Sequence, residues 1–180
     1  MQIIRPVPVD PEQYVREQFH KTIEPPDACP CCQWARSLIA LGYYERYVTA
    51  LTGIALMIFV RRFRCTECRG TTSVLPGFAQ PYRLVMNSTI DQFFSGAVAA
   101  RSLAWVPLLK QYWGRFVKWA PSIDPILAAA SGRSPPDRSA RRWWQVLIGV
   151  FGGMEKITFT LVSQYGVTLF GRYRCHSAFR

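Results

Sequence analysis

Four of the six cysteines in this 180-residue chain fall in two Cys-x-x-Cys pairs, Cys29/Cys32 and Cys65/Cys68, with 32 residues between Cys32 and Cys65. Thiolates at i and i+3 of a tight turn aim at one point, and two such turns fill the four positions of a tetrahedral zinc site. The second pair reaches the first only if the intervening chain doubles back, so a hairpin is expected between them. One Zn2+ ion, held by Cys29, Cys32, Cys65 and Cys68, is therefore expected. It is structural, because protein sulfur occupies every coordination position and none is left for a reacting group. Cys31, inside Cys29-Pro30-Cys31-Cys32, offers an alternative ligand; the i, i+3 geometry favours Cys29 and Cys32 and leaves Cys31 pointing away. Cys175-His176 reads as a tail feature and His20 as a core histidine. A thioredoxin-like redox pair needs a βαβ pattern, which surrounds neither pair.

Charge narrows the partner. Twenty-two basic residues oppose 11 acidic ones, a net charge of +11, while 49% of the chain is hydrophobic and 14% aromatic. Such a chain buries a core and attracts an anionic partner: DNA, RNA or an acidic membrane surface. The longest apolar run, over 48–60, contains Thr49, Thr52 and Gly53 and is short of the roughly 20 residues a bilayer span needs. A second run, over 146–154, is shorter and carries three glycines. No membrane association is expected. The proline-broken N-terminus lacks a secretory pattern. A cytoplasmic, nucleoid-associated location follows, where thiols stay reduced and paired cysteines serve as metal ligands.

The fold class expected is α+β: a small N-terminal zinc ribbon, a β-hairpin with a four-cysteine site, followed by an all-α, helix-turn-helix-like domain. Residues 1–28 read as an extended arm with a short helix over 11–20, ended by Pro25-Pro26. Residues 29–83 form the ribbon, with strands over 43–48 and 54–63 and a turn over 50–53. Pro76-Gly77 and Pro81 punctuate its exit. Residues 84–180 turn helical. Ser88 is expected to cap a helix bearing Ile90, Phe93 and Phe94. Residues 105–119 show helical periodicity through Leu108, Leu109, Tyr112, Trp113, Phe116 and Val117. Pro121 stops that helix, Ser122 caps a short one over 123–130, and Gly132 ends it. Ser134-Pro135 starts the next, which runs to Gly152-Gly153, with Ser as N-cap and Pro at the first position. A last helix spans 155 to about 170. The recurring tryptophans, at 105, 113, 119, 143 and 144, read as core.

Residues 122–147 have the layout of a helix-turn-helix. Arg138, Ser139, Arg141 and Arg142 then fall at the start of its second helix, the end that enters the major groove. Arginine there can contact guanine bidentately or grip a phosphate. An ordinary helical hairpin with a solvated basic face is the plainer alternative. Arg61, Arg62, Arg64 and Arg69 form a second basic cluster around the second cysteine pair, suited to phosphate or simply to a solvated strand face.

Several short runs carry a resemblance: Cys29-Pro30-x-Cys32, Gly42-Tyr43-Tyr44-Glu45-Arg46, Val60-Arg61-Arg62-Phe63-Arg64-Cys65-x-x-Cys68, Thr72 to Phe78, and Pro81-Tyr82-Arg83. Residues 29–83 resemble the transposase-type zinc ribbons of insertion-sequence proteins. They are similar in particular to uncharacterised, mobile-element-associated bacterial proteins that join such a ribbon to a helix-turn-helix; the helical half matches loosely, through Ser134 to Trp144. The resemblance implies that the four cysteines bind zinc and that the partner is DNA. Two departures are Cys31 within the first knuckle and Gln33, where such ribbons often have glycine.

Transposases of this kind cut DNA with three acidic residues holding two metal ions. Asp91, Asp124 and Glu155 have a suggestive spacing but fall in expected helices or caps, with too little chain between them for the mixed sheet that chemistry uses. No enzymatic activity is expected. The expectation is a zinc-dependent, duplex-DNA-binding protein, a non-catalytic accessory or targeting factor of a transposon or recombination system that works with a separate transposase or recombinase. The alternatives are a zinc-stabilised adaptor docking onto a larger nucleoprotein or enzyme complex, and an RNA-binding protein. The target sequence and oligomeric state are not legible.

Overall fold

A computed structural model describes residues 1–50, 52–97, 105–134 and 139–172. In chain order its elements are β1 (Gln2–Arg5), α1 (Pro11–Arg16), β2 (Leu38–Thr49), β3 (Ala55–Cys65), β4 (Thr71–Pro76), α2 (Asn87–Phe94), α3 (Val106–Trp119), α4 (Asp124–Ser131), α5 (Ala140–Phe151), α6 (Met154–Tyr165), β5 (Val167–Thr168) and β6 (Gly171–Arg172). The architecture is mixed α and β, a small sheet followed by several helices, as expected.

The chain between the cysteine pairs doubles back as the spacing requires. β2 and β3 pair antiparallel, with Leu38 opposite Cys65 and Thr49 opposite Ala55. Both strands are longer than the sequence pattern predicts. The alternation breaks early in β2 because the register slips between Ala40 and Gly42. Gly42 adopts φ +113°, which a side chain disfavours, and the resulting bulge keeps one long strand in place of two short ones. β4 pairs antiparallel with β3, and β1 pairs parallel with β4, giving the order β1-β4-β3-β2.

β1 and β4 have no counterpart in the sequence reading. β1 lies within the stretch expected as an arm, and its four residues are too few to show alternation. β4 is buried almost throughout, so it reads as a plain apolar-polar mixture before a turn rather than as a half-buried strand. It sits between β1 and β3, and both its edges are paired.

Two apolar clusters build the core. The sheet half gathers Tyr14, Ile58, Val60, Phe63, Val74, Leu75 and Phe78. The helical half gathers Phe94, Leu109, Tyr112, Phe116, Trp143, Trp144 and Leu147 among others. They meet at consecutive residues, Met86 on the sheet side and Val85 on the helical side. Polar contacts stitch the seam. Asn87 Nδ2 donates to the Gly77 carbonyl at 2.7 Å, and Thr158 Oγ1 donates to Gln80 Oε1 at 3.0 Å. Ile4 of β1 packs with Val162 and Phe159 of α6.

Helix boundaries differ from expectation in several places. α1 stops at Arg16, and Gln18 turns left-handed before a short 3-10 turn, Phe19–Lys21. Met86, not Ser88, is the N-cap of α2. Ser122 does not cap α4, because it lies inside a 3-10 turn, Ala120–Ile123, that runs on from α3. α4 accordingly starts at Asp124 and ends at Ser131, one residue later at each end than expected. α5 begins at Ala140 with Ser139 as its cap, not at Ser134; residues 135–138 lie outside the described residues. The last helix ends at Tyr165, not near 170, and a small hairpin of β5 and β6 follows. Glycine ends helices where the sequence said, at Gly132 and Gly152, and also at Gly166. Trp105, Trp113, Trp119, Trp143 and Trp144 belong to the helical core or pack against it, whereas Trp34 beside the first knuckle is exposed. His20 is buried between the rings of Tyr43 and Phe59.

Candidate metal centre and basic surfaces

The hairpin brings the two knuckles together at its open end, the first just before β2 and the second just after β3. Cys29 Sγ lies 3.7 Å from Cys68 Sγ, and Cys32 Sγ lies 3.7 Å from Cys65 Sγ. All four sulfurs are within 4.8 Å of one another. Metal–sulfur bonds of about 2.3 Å at tetrahedral angles place sulfurs about 3.8 Å apart, whereas a disulfide needs about 2.05 Å. The spacing is that of a four-thiolate site for one metal ion. Cys29 and Cys65 are buried and Cys32 and Cys68 half-buried, so the site is closed, as a structural centre requires. Among the described residues these four form the one grouping of Cys, His, Asp or Glu close enough to share an ion.

The two knuckles share a backbone device. The residue after each second cysteine is left-handed: Gln33 at φ +61° and Arg69 at φ +59°. That reversal lets the chain leave the metal side, and at Gln33 it supplies a physical reason why glycine suits the position. Gly70 follows closely, and a Cβ there would come within 3.2 Å of Cys68 Sγ and 3.5 Å of Cys31 Sγ. Cys31 is thus beside the cluster but outside the four; its sulfur lies 3.9 Å from Met1 Sδ.

Hydrogen bonds prepare the sulfurs for a cation. Burial pushes the Cys65 thiol up, but the Ser37 hydroxyl, 3.2 Å away, and the N–H groups of Cys68 and Glu67 outweigh it and bring Cys65 down to about 6. For Cys68 the Gly70 N–H favours the thiolate, yet burial and the sulfurs of Cys65, Cys29 and Cys32 prevail and push it up to about 12. Four thiolates cannot coexist at this spacing without a positive ion among them. Ser37 carries no sequence signal; only the pairing of β2 with β3 puts it beside Cys65.

The arginines near the second knuckle do not form one patch. Side chains alternate along a strand, so Arg61 lies on one face of β3 and Arg62 and Arg64 on the other. The Arg61 guanidinium lies 5.6 Å from the Phe63 ring centroid, and its Nε is buried without a hydrogen-bond partner. The Arg62 guanidinium lies 5.8 Å from the Tyr44 ring centroid. Arg64 and Arg69 are exposed. In the helical half, Arg141 and Arg142 are exposed on the first turn of α5, and Ser139 Oγ accepts the Arg142 N–H at 3.1 Å. Ser139 therefore works as a helix cap. Arg138 lies outside the described residues, as do Cys175 and His176.

α4 ends at Ser131 and α5 begins at Ala140, further apart than the turn of about three or four residues in a compact helix-turn-helix, and residues 135–138 between them lie outside the described residues. The three acidic residues have separate structural tasks. Asp91 Oδ2 accepts the Met154 N–H at 3.3 Å. Asp124 Oδ1 accepts the Trp143 indole N–H at 2.6 Å. Glu155 is half-buried beside Gly77, and burial holds its carboxyl above the usual range.

Residues 29–104 match the family model described as "Domain of unknown function (DUF6431)". The matched segment starts at the first metal-site cysteine, covers the hairpin, β4 and α2, and so joins the sheet to the start of the helical half. No curated protein and no solved structure matches the chain. Among the described residues no single helix is long and apolar enough to cross a membrane; α5 and α6 satisfy length and composition only together, and they are bent by 93°.

Proposed function

We propose that this chain is a zinc-dependent DNA-binding protein, a non-catalytic accessory or targeting factor of a transposon or recombination system. The carrying observation is the four-sulfur cluster at the open end of an arginine-bearing hairpin. Four thiolates at tetrahedral spacing suit zinc. The ion cross-links both ends of the hairpin, which stiffens the strand that carries Arg61, Arg62 and Arg64. The net charge of +11 supports an anionic partner. Arg141 and Arg142, exposed on a capped helix start, suit a groove or a phosphate, and Arg64 and Arg69 suit phosphate beside the metal. The resemblance of residues 29–83 to transposase-type ribbons supplies the mobile-element context and the separate transposase or recombinase as partner.

The test is a fluorescence titration of metal-loaded protein with duplex DNA, single-stranded DNA and duplex RNA across a salt series. Duplex DNA binding that falls log-linearly with salt is expected, the slope counting the phosphates engaged. Arg141→Ala/Arg142→Ala is expected to weaken it with metal content unchanged; unchanged affinity would remove α5 from the interface. Preference for duplex RNA would replace DNA as the partner.

One observation favours the second reading, an adaptor. β2 is an edge strand of the sheet; among the described residues its outer rim is paired only at its end, where Thr49 bridges Val85, and Ile39, Leu41, Tyr43 and Tyr47 along it are each about half exposed. Such a strand suits addition of a partner's strand. Absence of binding to any nucleic acid at low salt would favour it.

A further inference from the structure

Three arginines lie around Tyr112, where the sheet joins the helices. Arg46 projects from β2, and its Nη2 donates to the carbonyls of Gln80 and Arg83. The link between β4 and α2 is thereby tied to the hairpin. Arg83 extends from that link over α3, its guanidinium 5.6 Å from the Tyr112 ring centroid. Its Nη1 donates to the adjacent Tyr82 carbonyl at 3.0 Å, while its Nε is buried with no hydrogen-bond partner among the described residues. Arg115 follows Tyr112 by three residues on α3, so it shares that side of the helix, and it is exposed.

This convergence is unfavourable by itself. Burial and the Arg115 charge both work against the proton on Arg83. Burial holds the Tyr112 hydroxyl above its usual range, against the charges of Arg83, Arg115 and Arg46 and a backbone hydrogen bond from Leu84. Guanidinium stays protonated in proteins, so the like charges persist and repel. An anion between them turns the repulsion into attraction, and a guanidinium fork matches two oxygens of a phosphate. Tyr82, 57% exposed, stands next in the chain.

We propose that Arg83 and Arg115, with Arg46 anchoring the link beneath them, form a phosphate-binding site at the seam between sheet and helices. It is separate from the metal centre and from the start of α5, and it does not require the DNA reading to hold. A phosphodiester of a nucleic-acid backbone and a free phosphate present the same oxygens, and the test separates them.

Full-length, metal-loaded protein and its Arg115→Gln and Arg83→Lys variants are titrated with duplex DNA across a salt series, and separately with inorganic pyrophosphate by calorimetry. Metal content and Tm confirm that each variant is folded; Arg115 is exposed, so that variant is the safer of the two. If the site holds a backbone phosphate, Arg115→Gln lowers the magnitude of the salt slope by about 0.9 and weakens DNA binding severalfold at low salt. If it holds a free phosphate, the DNA slope is unchanged and pyrophosphate binding weakens at least fivefold. Arg83→Lys keeps the charge but loses the fork, so DNA or pyrophosphate binding is expected to weaken severalfold while the salt slope stays as in the wild type. Unchanged DNA slope together with unchanged pyrophosphate binding in Arg115→Gln overturns the site. Wild-type protein that binds pyrophosphate through Arg115 but no DNA upholds the site and overturns the DNA reading alone.

Discussion

The two ends of this molecule solve the same problem by different means. The helical half buries Phe94, Leu109, Phe116, Trp143, Trp144 and Leu147 in one cluster. Its aromatic rings pack edge to face; Phe94 meets Trp113 at 4.8 Å and Trp144 at 5.1 Å between centroids. Large side chains supply enough apolar contact to hold short helices together. The knuckle end has little such material. Next to its cysteines in the chain stand Pro30, Gln33, Thr66, Glu67, Arg69 and Gly70, the sulfurs sit at the margin of the sheet cluster, and both turns carry left-handed residues that cost conformational energy. A metal ion held by the four clustered sulfurs would reinforce the sheet core there. The contrast teaches where the chain depends on an ion and where it depends on packing.

The largest effect is expected from breaking the cross-link. Cys65→Ser, or chelation of the wild type, removes on the order of 10 kcal/mol of metal-coupled folding energy. The knuckles and the base of the hairpin are expected to unfold. Emission from the five tryptophans of the helical half, with Trp34 of the knuckle replaced by phenylalanine, would separate the two ends: retention of that native emission in Cys65→Ser would show that the aromatic core stands without the metal. Metal binding must also weaken in acid. A thiol with a folded value lowered to about 6, as at Cys65, contributes stability above its ordinary value of about 8.5 that is lost as pH falls through 6. Cys68, at about 12, must give up its proton when the ion enters. Proton uptake and metal release followed together below pH 7 check this; metal retention independent of pH would contradict it.

The counterpart in the helical half is Trp143→Ala. The indole is fully buried and its N–H bonds to Asp124. A loss of about 3–5 kcal/mol is expected, read by denaturant unfolding. Metal content under native conditions is expected to stay at the wild-type level, which would sharpen the division between the two ends; a parallel loss of metal would blur it.

The seam comes next. Asn87 is buried, and its amide donates to the Gly77 carbonyl across the junction. Asn87→Ala leaves that carbonyl without a donor, a cost of about 1–3 kcal/mol. Cooperative loss of both halves in this variant, seen by circular dichroism and metal release at one midpoint, is the expected outcome. Two separate midpoints would mean that the halves are held independently.

The smallest expected effect is at Gln33. Its left-handed backbone is easier for glycine, so Gln33→Gly is expected to stabilise the metal-loaded protein by about 0.5–1 kcal/mol. A lower Tm would show that the Gln33 side chain, whose Nε2 donates to the Pro30 carbonyl at 3.3 Å, matters more than the backbone.

Much of this was legible in the residues. Two Cys-x-x-Cys pairs with a β-branched, aromatic stretch between them determine a returning hairpin and a four-sulfur cluster, because a tetrahedral ion admits few other arrangements of i, i+3 thiolates. The periodicity from Leu108 to Phe116 determines α3, and glycines at 132 and 152 determine where α4 and α5 stop. Only the tertiary structure decided the rest. Ser139 caps α5, although Ser134 has the better local signature. α6 stops at Gly166 where its apolar pattern would run on into a hairpin. β1 joins the sheet because β4 offers it a free edge. Ser37 reaches Cys65, Arg46 reaches the Gln80 and Arg83 carbonyls, and Arg83 reaches the Tyr112 ring, through strand register and the packing of α3. Local pattern fixes what a segment can become; which distant polar groups it then meets depends on the whole fold.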